Sequence, residues 1–299
     1  MGFWLDLLGA EVRYHDAGGW RTRSIEAGDG EHVILMGGLT GHAEGFAHNV
    51  LALSEWGFRV HAIDCLGHGL TDRPTDVTYH APVFTEHLLH FLDAIGAERA
   101  HLVGQSLGGW IAMWTALHHP DRVGRLVSVT GAGLLQPTTA REQESQAVHQ
   151  RVKNVTRRAT TEPTLESVRT RLEWLMADPK SVTEELVNVR YRYYTLPGGE
   201  EGLAKVVDEQ PSEENRAYML GEAELRRITH PSLVLWSDQN PTTPAEVGRW
   251  ASEVLPNGRF DLVEGAGHWP MFEQPTQFNR IVGEFLSEAR PLHVSMPVT

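Results

Sequence analysis

Residues 101–109 read His-Leu-Val-Gly-Gln-Ser-Leu-Gly-Gly, and the fold class follows from this stretch. It starts as an apolar strand, contains a G-x-S-x-G pattern centred on Ser106, and continues with helical spacing to Leu117. A sharp strand-to-helix turn holds a serine hydroxyl above a sheet, where the helix N-terminus favours developing negative charge. Glycines two residues either side let the strand and helix pass closely. The stretch predicts Ser106 as a nucleophile on an α/β sheet.

Strand and helix signals alternate on both sides of this turn. Between about residues 134 and 228 the alternation stops, and the segments are helical and rich in charge. Strands that alternate with helices predict a mostly parallel eight-stranded sheet with helices on both faces. The predicted organisation is an α/β core at 1–133 and 229–290, a helical cap inserted at 134–228, and a tail at 291–299.

Composition narrows the classes of partner. The 299 residues carry a formal net charge of −13, which argues against nucleic acid because phosphate binding needs clustered Lys and Arg. Neither a transmembrane run nor a signal-like N-terminus occurs. Cys65 is the only cysteine, which favours a cytoplasmic location, and the 16 histidines are too scattered to predict a metal site. We expect a small-molecule substrate, which would need a local cation if it is anionic.

A serine hydroxyl needs a base within hydrogen-bond reach. His268 follows the last predicted strand in a glycine-flanked loop, which leaves its imidazole free to point into a cleft. Where the nucleophilic serine lies on this kind of strand-to-helix turn, the catalytic residues follow along the chain in the order serine, acid, histidine. Asp238 is the only carboxylate in the loop where the acid is expected, so we predict that it orients His268. The alternative is that Asp238, which lies two residues after a predicted strand, caps the following turn.

Stabilising the oxyanion requires two backbone donors aimed at one point. One is predicted to be the N–H of Leu107, the residue after the nucleophile. The other is expected from the glycine-rich loop at 37–41, where Gly38 allows a close approach to substrate. The alternative reading of this loop is a simple glycine-rich turn.

Taken together, these motifs resemble those of the α/β-hydrolase superfamily over nearly the whole chain. Residues 64–74, Asp-Cys-Leu-Gly-His-Gly-Leu-Thr-Asp-Arg-Pro, resemble its D-x-x-G-x-G-x-S/T-D-x-P loop. Within the superfamily the chain is most similar to the meta-cleavage product hydrolases, which cut a carbon-carbon bond in 2-hydroxy-6-oxo-hexa-2,4-dienoates formed during bacterial degradation of aromatic rings. The run Gly267-His268-Trp269, the segment 184–190 ending in Arg190, and the position of the cap carry that similarity.

The resemblance implies a mechanism and a set of binding residues. Arg190 would bind the substrate carboxylate, and Trp269 would line the site. We also predict that Asn49 contributes to substrate binding. His268 would assist ketonisation, and Ser106 would attack the C6 carbonyl to give an acyl-serine and 2-hydroxypenta-2,4-dienoate. No metal or organic cofactor is implied, and a homo-oligomer is expected because dimers or larger assemblies are common in the family.

Three departures from the family pattern bear on the site. The oxyanion loop begins with Met36-Gly37 where the family has His-Gly, and it is shorter and lacks Gly-Pro-Gly. The family's acid lies four residues after the Trp of its strand, and here that position is Asn240. Either Asp238 has taken over the role, or Asn240 orients His268 through a neutral hydrogen bond.

Two other functions use the same features. A carboxylesterase or lactonase would share the serine and histidine without ketonisation. A non-catalytic ligand receptor on this fold would retain the pocket without turnover. Haloalkane dehalogenases and epoxide hydrolases are disfavoured because they carry Asp where this chain has Ser106.

Overall fold

Eight strands form one sheet in the structure, a computed structural model that describes residues 2–135, 142–210 and 212–288. The spatial order is β1-β2-β4-β3-β5-β6-β7-β8. Strands β3 to β8 pair in parallel, while β2 runs antiparallel to both β1 and β4. The strands are β1 Glu11–Ala17, β2 Trp20–Ala27, β3 Glu31–Met36, β4 Phe58–Ile63, β5 Ala100–Gln105, β6 Val123–Val129, β7 Ser232–Ser237 and β8 Gly258–Val263.

Helices cover both faces of the sheet and fill the region between β6 and β7. Short 3-10 turns lie at Ala43–Phe46, Pro120–Arg122 and Pro179–Ser181. The helices are α1 Phe3–Asp6, α2 Val50–Ser54, α3 Ala81–Ala94, α4 Leu107–His118, α5 Glu142–Thr161, α6 Leu165–Leu175, α7 Glu184–Tyr194, α8 Glu200–Glu209, α9 Glu213–Arg216, α10 Glu222–Leu225, α11 Ala245–Val254, α12 Pro270–Glu273 and α13 Pro275–Ser287. None of the described helices is long and apolar enough to cross a membrane.

The sheet has an apolar core on each face, because side chains alternate along a strand. On β3, Val33 and Leu35 lie in one buried cluster with residues of α2 and α13, whereas Ile34 and Met36 lie in the other with residues of α3, α4 and α11. Both clusters bury their strand residues almost completely. The predicted fold class, a mostly parallel eight-stranded sheet with helices on both faces and a helical cap, is confirmed.

Helices α5 to α10 connect β6 to β7 and are called the cap helices below. Helix α6 begins with a capping box, in which the Thr164 hydroxyl accepts from the Ser167 N–H and the Ser167 hydroxyl accepts from the Thr164 N–H. Apolar residues of α6 and α7 join the core cluster that contains α2 and α13. The predicted tail at 291–299 lies outside the described residues.

Candidate active site

Ser106 occupies the tight turn between β5 and α4. Its backbone has φ 52° and ψ −112°, a left-handed conformation that strains a residue with a side chain by roughly 1–3 kcal/mol. Its N–H donates to the Val129 carbonyl (2.9 Å), which fixes the turn to the neighbouring strand. A Cβ on Gly104 would collide with the Gly108 backbone, so the glycine at 104 is required sterically. The serine therefore occupies the elbow that the sequence predicts.

The loop after β3 passes directly over the elbow. A Cβ placed on Gly38 would lie 2.9 Å from the Cβ of Ser106, so only glycine permits this approach. The Gly41 N–H donates to the Gly38 carbonyl (2.7 Å) and closes a tight turn. Leu107 is the first residue of α4, and the first N–H of a helix has no intrahelical acceptor. This geometry supports Gly38 and Leu107 as oxyanion donors, a role that stays a prediction.

The backbone of His268 is tied to three parts of the molecule. Its carbonyl accepts from the Gln105 side-chain amide (3.0 Å) and from the Thr130 hydroxyl (3.1 Å). Its N–H donates to the Leu175 carbonyl at the end of α6 (2.7 Å). The histidine loop is thereby connected to the residue before the nucleophile, to the end of β6 and to the cap.

The side chain of His268 is oriented by an amide. Its Nδ1 lies 2.9 Å from Oδ1 of Asn240 and 3.1 Å from the Thr242 hydroxyl. The Asn240 Nδ2 donates to the Thr243 carbonyl (2.9 Å), which can only accept, so the amide oxygen must face the imidazole. Nδ1 of His268 then carries the proton, and Nε2 keeps its lone pair. That tautomer is the one a general base needs.

Asp238 does not contact His268 in the structure, which corrects the preferred sequence prediction. Its backbone N–H donates to the Val263 carbonyl (3.3 Å) and continues the β7–β8 ladder. Its Oδ1 accepts from the Ala266 N–H (3.2 Å). The residue is still held in the sheet register, whereas Asn240 lies in the turn beyond and reaches the imidazole.

Burial lowers the pKa of His268 to about 3, and the positive charge of Arg171 lowers it further in the same direction. Asn240 is uncharged, so it cannot raise this pKa as a carboxylate would. His268 is 8% exposed. Its imidazole is neutral at neutral pH and is available as a base.

Arg190 lies on α7 and is completely buried. Its guanidinium stacks over the Trp269 ring, with Cζ 4.7 Å from the ring centroid. Nη1 donates to the Tyr194 hydroxyl (3.3 Å) and to the Thr40 hydroxyl (3.5 Å). Nε and Nη2 have no hydrogen-bond partner among the described residues. The structure thus brings Arg190 and Trp269 together, as the sequence analysis expects.

A second arginine, Arg171 on α6, was missed by the sequence analysis. It is 5% exposed, and its Nη2 donates to the carbonyl of Leu39 in the oxyanion loop (3.3 Å). A signal was available in the helix pattern. Val168, Arg171, Leu172 and Leu175 share one buried face at helical spacing, so a cation sits where an apolar residue is expected.

The amide nitrogen of Asn49 is used within the protein, while its Oδ1 is buried and has no hydrogen-bond partner among the described residues, so its role in substrate binding stays a prediction. Its Nδ2 donates both hydrogens within the protein, to the Met271 carbonyl (3.0 Å) and to Oδ1 of Asn279 (2.8 Å). The residue is completely buried at the start of α2. It joins α2 to α12 and α13.

The sequence of residues 31–275 matches the family model that describes the alpha/beta hydrolase fold. The chain belongs to the α/β-hydrolase family. A 2-hydroxymuconate semialdehyde hydrolase of Pseudomonas putida is 30% identical, covering 93% of this chain and 94% of that protein. A 2-hydroxy-6-oxononadienedioate/2-hydroxy-6-oxononatrienedioate hydrolase of Burkholderia vietnamiensis is 31% identical, covering 92% and 90%. A meta-cleavage product hydrolase of Pseudomonas fluorescens is similar in structure, with a TM-score of 0.80 at 28% identity, covering 94% of this chain and 99% of that chain.

These similarities identify the chain as a hydrolase. The predicted resemblance to the meta-cleavage product hydrolases is confirmed.

A buried ion-pair network supports the oxyanion loop of this α/β-hydrolase. Arg23 pairs with Asp64 (3.1 Å) and with Glu44. Asp64 also accepts from the Ala43 N–H (2.7 Å) and the Leu70 N–H (2.8 Å). The first aspartate of the 64–74 motif therefore holds two loops together and lies outside the reacting groups.

The carboxylate of Glu273 joins the cap to the histidine loop. One oxygen accepts from the Ala177 N–H (2.6 Å), and the other accepts from Gly267 (2.8 Å) and Trp269 (3.4 Å). In Glu273→Gln the amide nitrogen Nε2 is a donor and cannot replace one of these acceptors, so a buried N–H loses its partner. We expect the free energy of unfolding to fall by about 1–3 kcal/mol in urea titrations.

Glu284→Gln is the matched control for this change, because Glu284 makes an exposed pair with Arg280 (3.0 Å). Exposed pairs of this kind contribute about 0.3–0.5 kcal/mol. Equal losses in the two variants would show that Glu273 does not hold the histidine loop to the cap.

Proposed function

We propose that this chain hydrolyses the bond between C5 and C6 of a 2-hydroxy-6-oxo-hexa-2,4-dienoate, with Ser106 as the nucleophile. The observation that carries the proposal is the buried donor pair of Arg190 that has no partner among the described residues, on a guanidinium that stacks over Trp269, the residue after His268. An esterase acting on neutral esters has no use for an uncompensated cation there. The names of the relatives described above support the same class of substrate.

Arg190 supplies the substrate-binding charge. Its free donors, Nε and Nη2, are the adjacent pair that binds a carboxylate in a bidentate manner. Burial lowers the pKa of Arg190 to about 10, so it stays cationic at neutral pH. The C1 carboxylate of the substrate binds here and leaves the dienoate chain extended toward Ser106.

His268 acts as a proton carrier throughout the reaction. It assists the transfer of the 2-hydroxyl proton to C5, which converts the dienol into a keto tautomer with an electron sink next to the bond to be broken. It then accepts the Ser106 hydroxyl proton as Oγ attacks C6. The low pKa of the free imidazole keeps it unprotonated for both steps.

Bond cleavage follows from the tetrahedral intermediate. Its oxyanion is held by the N–H groups of Gly38 and Leu107. Collapse breaks the C5–C6 bond, and its electron pair forms the C4=C5 double bond while the C3=C4 pair shifts to C2=C3. The C2 carbonyl oxygen takes the proton that His268 received from Ser106, so 2-hydroxypenta-2,4-dienoate leaves and C6 remains as an acyl-serine. Water deprotonated by His268 adds to C6 and releases a carboxylic acid, which regenerates Ser106.

The test compares two substrates of one enzyme. A yellow 2-hydroxy-6-oxo-hexa-2,4-dienoate should lose its visible absorbance on mixing with the protein. Arg190→Gln should raise KM for this dienoate by at least about tenfold, because a charge-assisted bond is lost. The hydrolysis of nitrophenyl acetate, which has no carboxylate, should change little.

Arg192→Gln is the control, since Arg192 lies on the same helix and is exposed. It should leave both reactions unchanged. Persistence of the yellow colour while the nitrophenyl ester is hydrolysed would overturn the proposal and favour a carboxylesterase.

A further inference from the structure

A second histidine follows the oxyanion loop, and one of its ring nitrogens is unused. His42 is 2% exposed, and its Nδ1 lies 3.0 Å from Oε2 of Glu44. A carboxylate can only accept a hydrogen bond, so Nδ1 carries the proton of the neutral ring. Nε2 keeps its lone pair, and this buried atom has no hydrogen-bond partner among the described residues. His42 therefore offers a buried acceptor that no described residue uses.

Glu44 holds the His42 ring in one orientation. Its carboxylate also pairs with Arg23 and accepts from the hydroxyl of Tyr193 on α7 (2.8 Å). Burial opposes ionisation of Glu44, yet His42 and Arg23 keep the pKa of its carboxyl below its ordinary value. The His42 ring packs on the Tyr193 ring, with 4.9 Å between the ring centroids. The imidazole is thus fixed both by the core and by the cap.

His42 lies close to Arg190. Nη1 of Arg190 donates to the hydroxyl of Thr40, two residues before His42, and to the Tyr194 hydroxyl. Burial lowers the pKa of His42, the hydrogen bond to Glu44 opposes this shift, and the positive charge of Arg190 lowers the pKa again. An acceptor without a partner among the described residues therefore lies near the Arg190 donors, Nε and Nη2, that have none either.

The two unused groups match the C1 end of the proposed substrate. A carboxylate accepts from Arg190, but it offers no hydrogen to Nε2 of His42. The 2-hydroxyl of a 2-hydroxy-6-oxo-hexa-2,4-dienoate is a donor, and it is attached to the carbon next to that carboxylate. We propose that His42 Nε2 accepts a hydrogen bond from the 2-hydroxyl and removes its proton. The inference rests on the proposed function and adds a second catalytic histidine to it.

This proton transfer starts the ketonisation. The O–H bond of the 2-hydroxyl breaks, an N–H bond forms at His42 Nε2, and the oxygen pair forms the C2 carbonyl. The C2=C3 pair moves to C3=C4, and the C4=C5 pair takes a proton that His268 relays from water. His42 then releases its proton to water, so in total one proton has moved from oxygen to C5.

The partners of the two histidines differ in charge. Glu44 is a carboxylate, which stabilises an imidazolium, whereas Asn240 beside His268 is uncharged. A histidine that holds the 2-hydroxyl proton gains from a carboxylate partner. His268 must be unprotonated when Ser106 attacks, and for that an orienting oxygen is enough. His42 is therefore better suited than His268 to take the proton from the 2-hydroxyl.

Binding to a protein that cannot turn over tests the contact. A 2-hydroxy-6-oxo-hexa-2,4-dienoate and its 2-deoxy analogue are titrated calorimetrically into Ser106→Ala protein, with and without His42→Asn. The asparagine amide can still donate to Glu44, but it has no acceptor at the position of Nε2. It should weaken the 2-hydroxy ligand by about tenfold, the loss of one hydrogen bond between groups that become charged, and leave the 2-deoxy ligand unchanged. Equal weakening of both ligands, or no change in either, would overturn the proposal.

Turnover separates proton transfer from hydrogen bonding. In His42→Gln the side-chain oxygen can accept from the 2-hydroxyl, but an amide cannot take its proton. With Ser106 intact, His42→Gln should lower kcat for dienoate bleaching by at least about 100-fold, the contribution of a general base. The hydrolysis of nitrophenyl acetate, which has no enol, should be unchanged. An unchanged kcat for the dienoate, or an equal fall for both substrates, would contradict the role of His42 as a base.

His48→Asn is the matched control. His48 lies six residues after His42, is partly exposed, and its Nδ1 lies 3.1 Å from the Asp6 carboxylate. The change removes the same ring next to a carboxylate, and it should leave both affinities and kcat unchanged. A preference for the 2-hydroxy ligand that falls as far in His48→Asn as in His42→Asn would show that the effect is not specific to His42.

Mandelate and phenylacetate separate this inference from the proposed function, because they differ only in a 2-hydroxyl and neither has a C6 carbonyl to attack. The wild-type protein should bind mandelate more tightly than phenylacetate, and His42→Asn should abolish that difference. If no dienoate is bleached but this difference appears, the proposed reaction fails and the 2-hydroxyl contact stands. If dienoates are bleached and His42→Asn changes neither pair of affinities, the reaction stands and the role of His42 fails.

Discussion

Ser106→Ala is expected to lower kcat by about 10⁴-fold or more, because removing a nucleophile eliminates the covalent route. The fold should survive the change. Alanine carries the same Cβ into the φ 52° turn, and the backbone bond from residue 106 to the Val129 carbonyl is kept. The measurement is dienoate bleaching by the purified variant, with its unfolding midpoint compared with that of the wild type.

Ser128→Ala is the matched control for the nucleophile. Ser128 lies on β6 close to the elbow, is 1% exposed, and its hydroxyl has no partner among the described residues. Removing a buried hydroxyl without a partner costs little stability. Ser128→Ala should therefore keep full activity, whereas similar rates in Ser106→Ala and the wild type would exclude an acyl-serine mechanism.

The elbow and the sheet are predictable from the sequence because their constraints are local. Gly104 is required by a close contact with the Gly108 backbone, within five residues of the serine, although Gly108 itself is required by the distant backbone of Met36 on β3. The apolar runs that become β3 and β5 bury both faces, so their strand character shows directly in composition. Local steric constraints and the burial of apolar runs are the structural features that a single sequence predicts most directly.

Asn240 could not be selected from the sequence by chemistry alone. Asp238 and Asn240 are two residues apart, and the outcome depends on where the β7–β8 ladder ends. The ladder continues through the Asp238 N–H, so the turn that reaches His268 begins later than the apolar run suggests. The family spacing pointed to Asn240, while the preference for a carboxylate pointed to Asp238.

Burial by distant parts of the chain explains what the sequence does not reveal about the other residues of the site. Arg190 and Arg171 both occupy buried faces of their helices, a pattern visible in the sequence, but the pattern does not reveal which elements cover them. Asn49 is a polar residue near the oxyanion loop in the sequence. Its partners, Met271 and Asn279, are more than 200 residues away along the chain, so its structural role depends on the completed fold.

Asn240→Ala is expected to lower kcat by about 10- to 150-fold, which corresponds to losing a hydrogen bond of about 1.5–3 kcal/mol to a group that becomes charged. Without the amide oxygen, nothing beyond the Thr242 hydroxyl selects the His268 tautomer that carries its proton on Nδ1. The measurement is single-turnover bleaching at a pH where the wild-type rate is constant.

Asn240→Asp tests the electrostatic part of the same interaction. A carboxylate at this distance from Nδ1 favours imidazolium, so it should raise the pKa of His268 by about 1–3 units from its low value in the wild type. A base with a raised pKa becomes protonated as the pH falls through that higher value. The acid limb of kcat/KM should therefore move to higher pH, while the rate on the alkaline side is kept or increased.

The control for Asn240→Asp is Asp238→Asn, which makes the reverse substitution two residues earlier in the chain. Asp238 holds the Ala266 N–H, which an asparagine oxygen can also accept, so the pH profile should stay where it is in the wild type. A large loss of kcat in Asp238→Asn, together with an unmoved acid limb in Asn240→Asp, would return the orienting role to Asp238. The paired variants thus decide whether this hydrolase works with a neutral residue in the place of its usual acid.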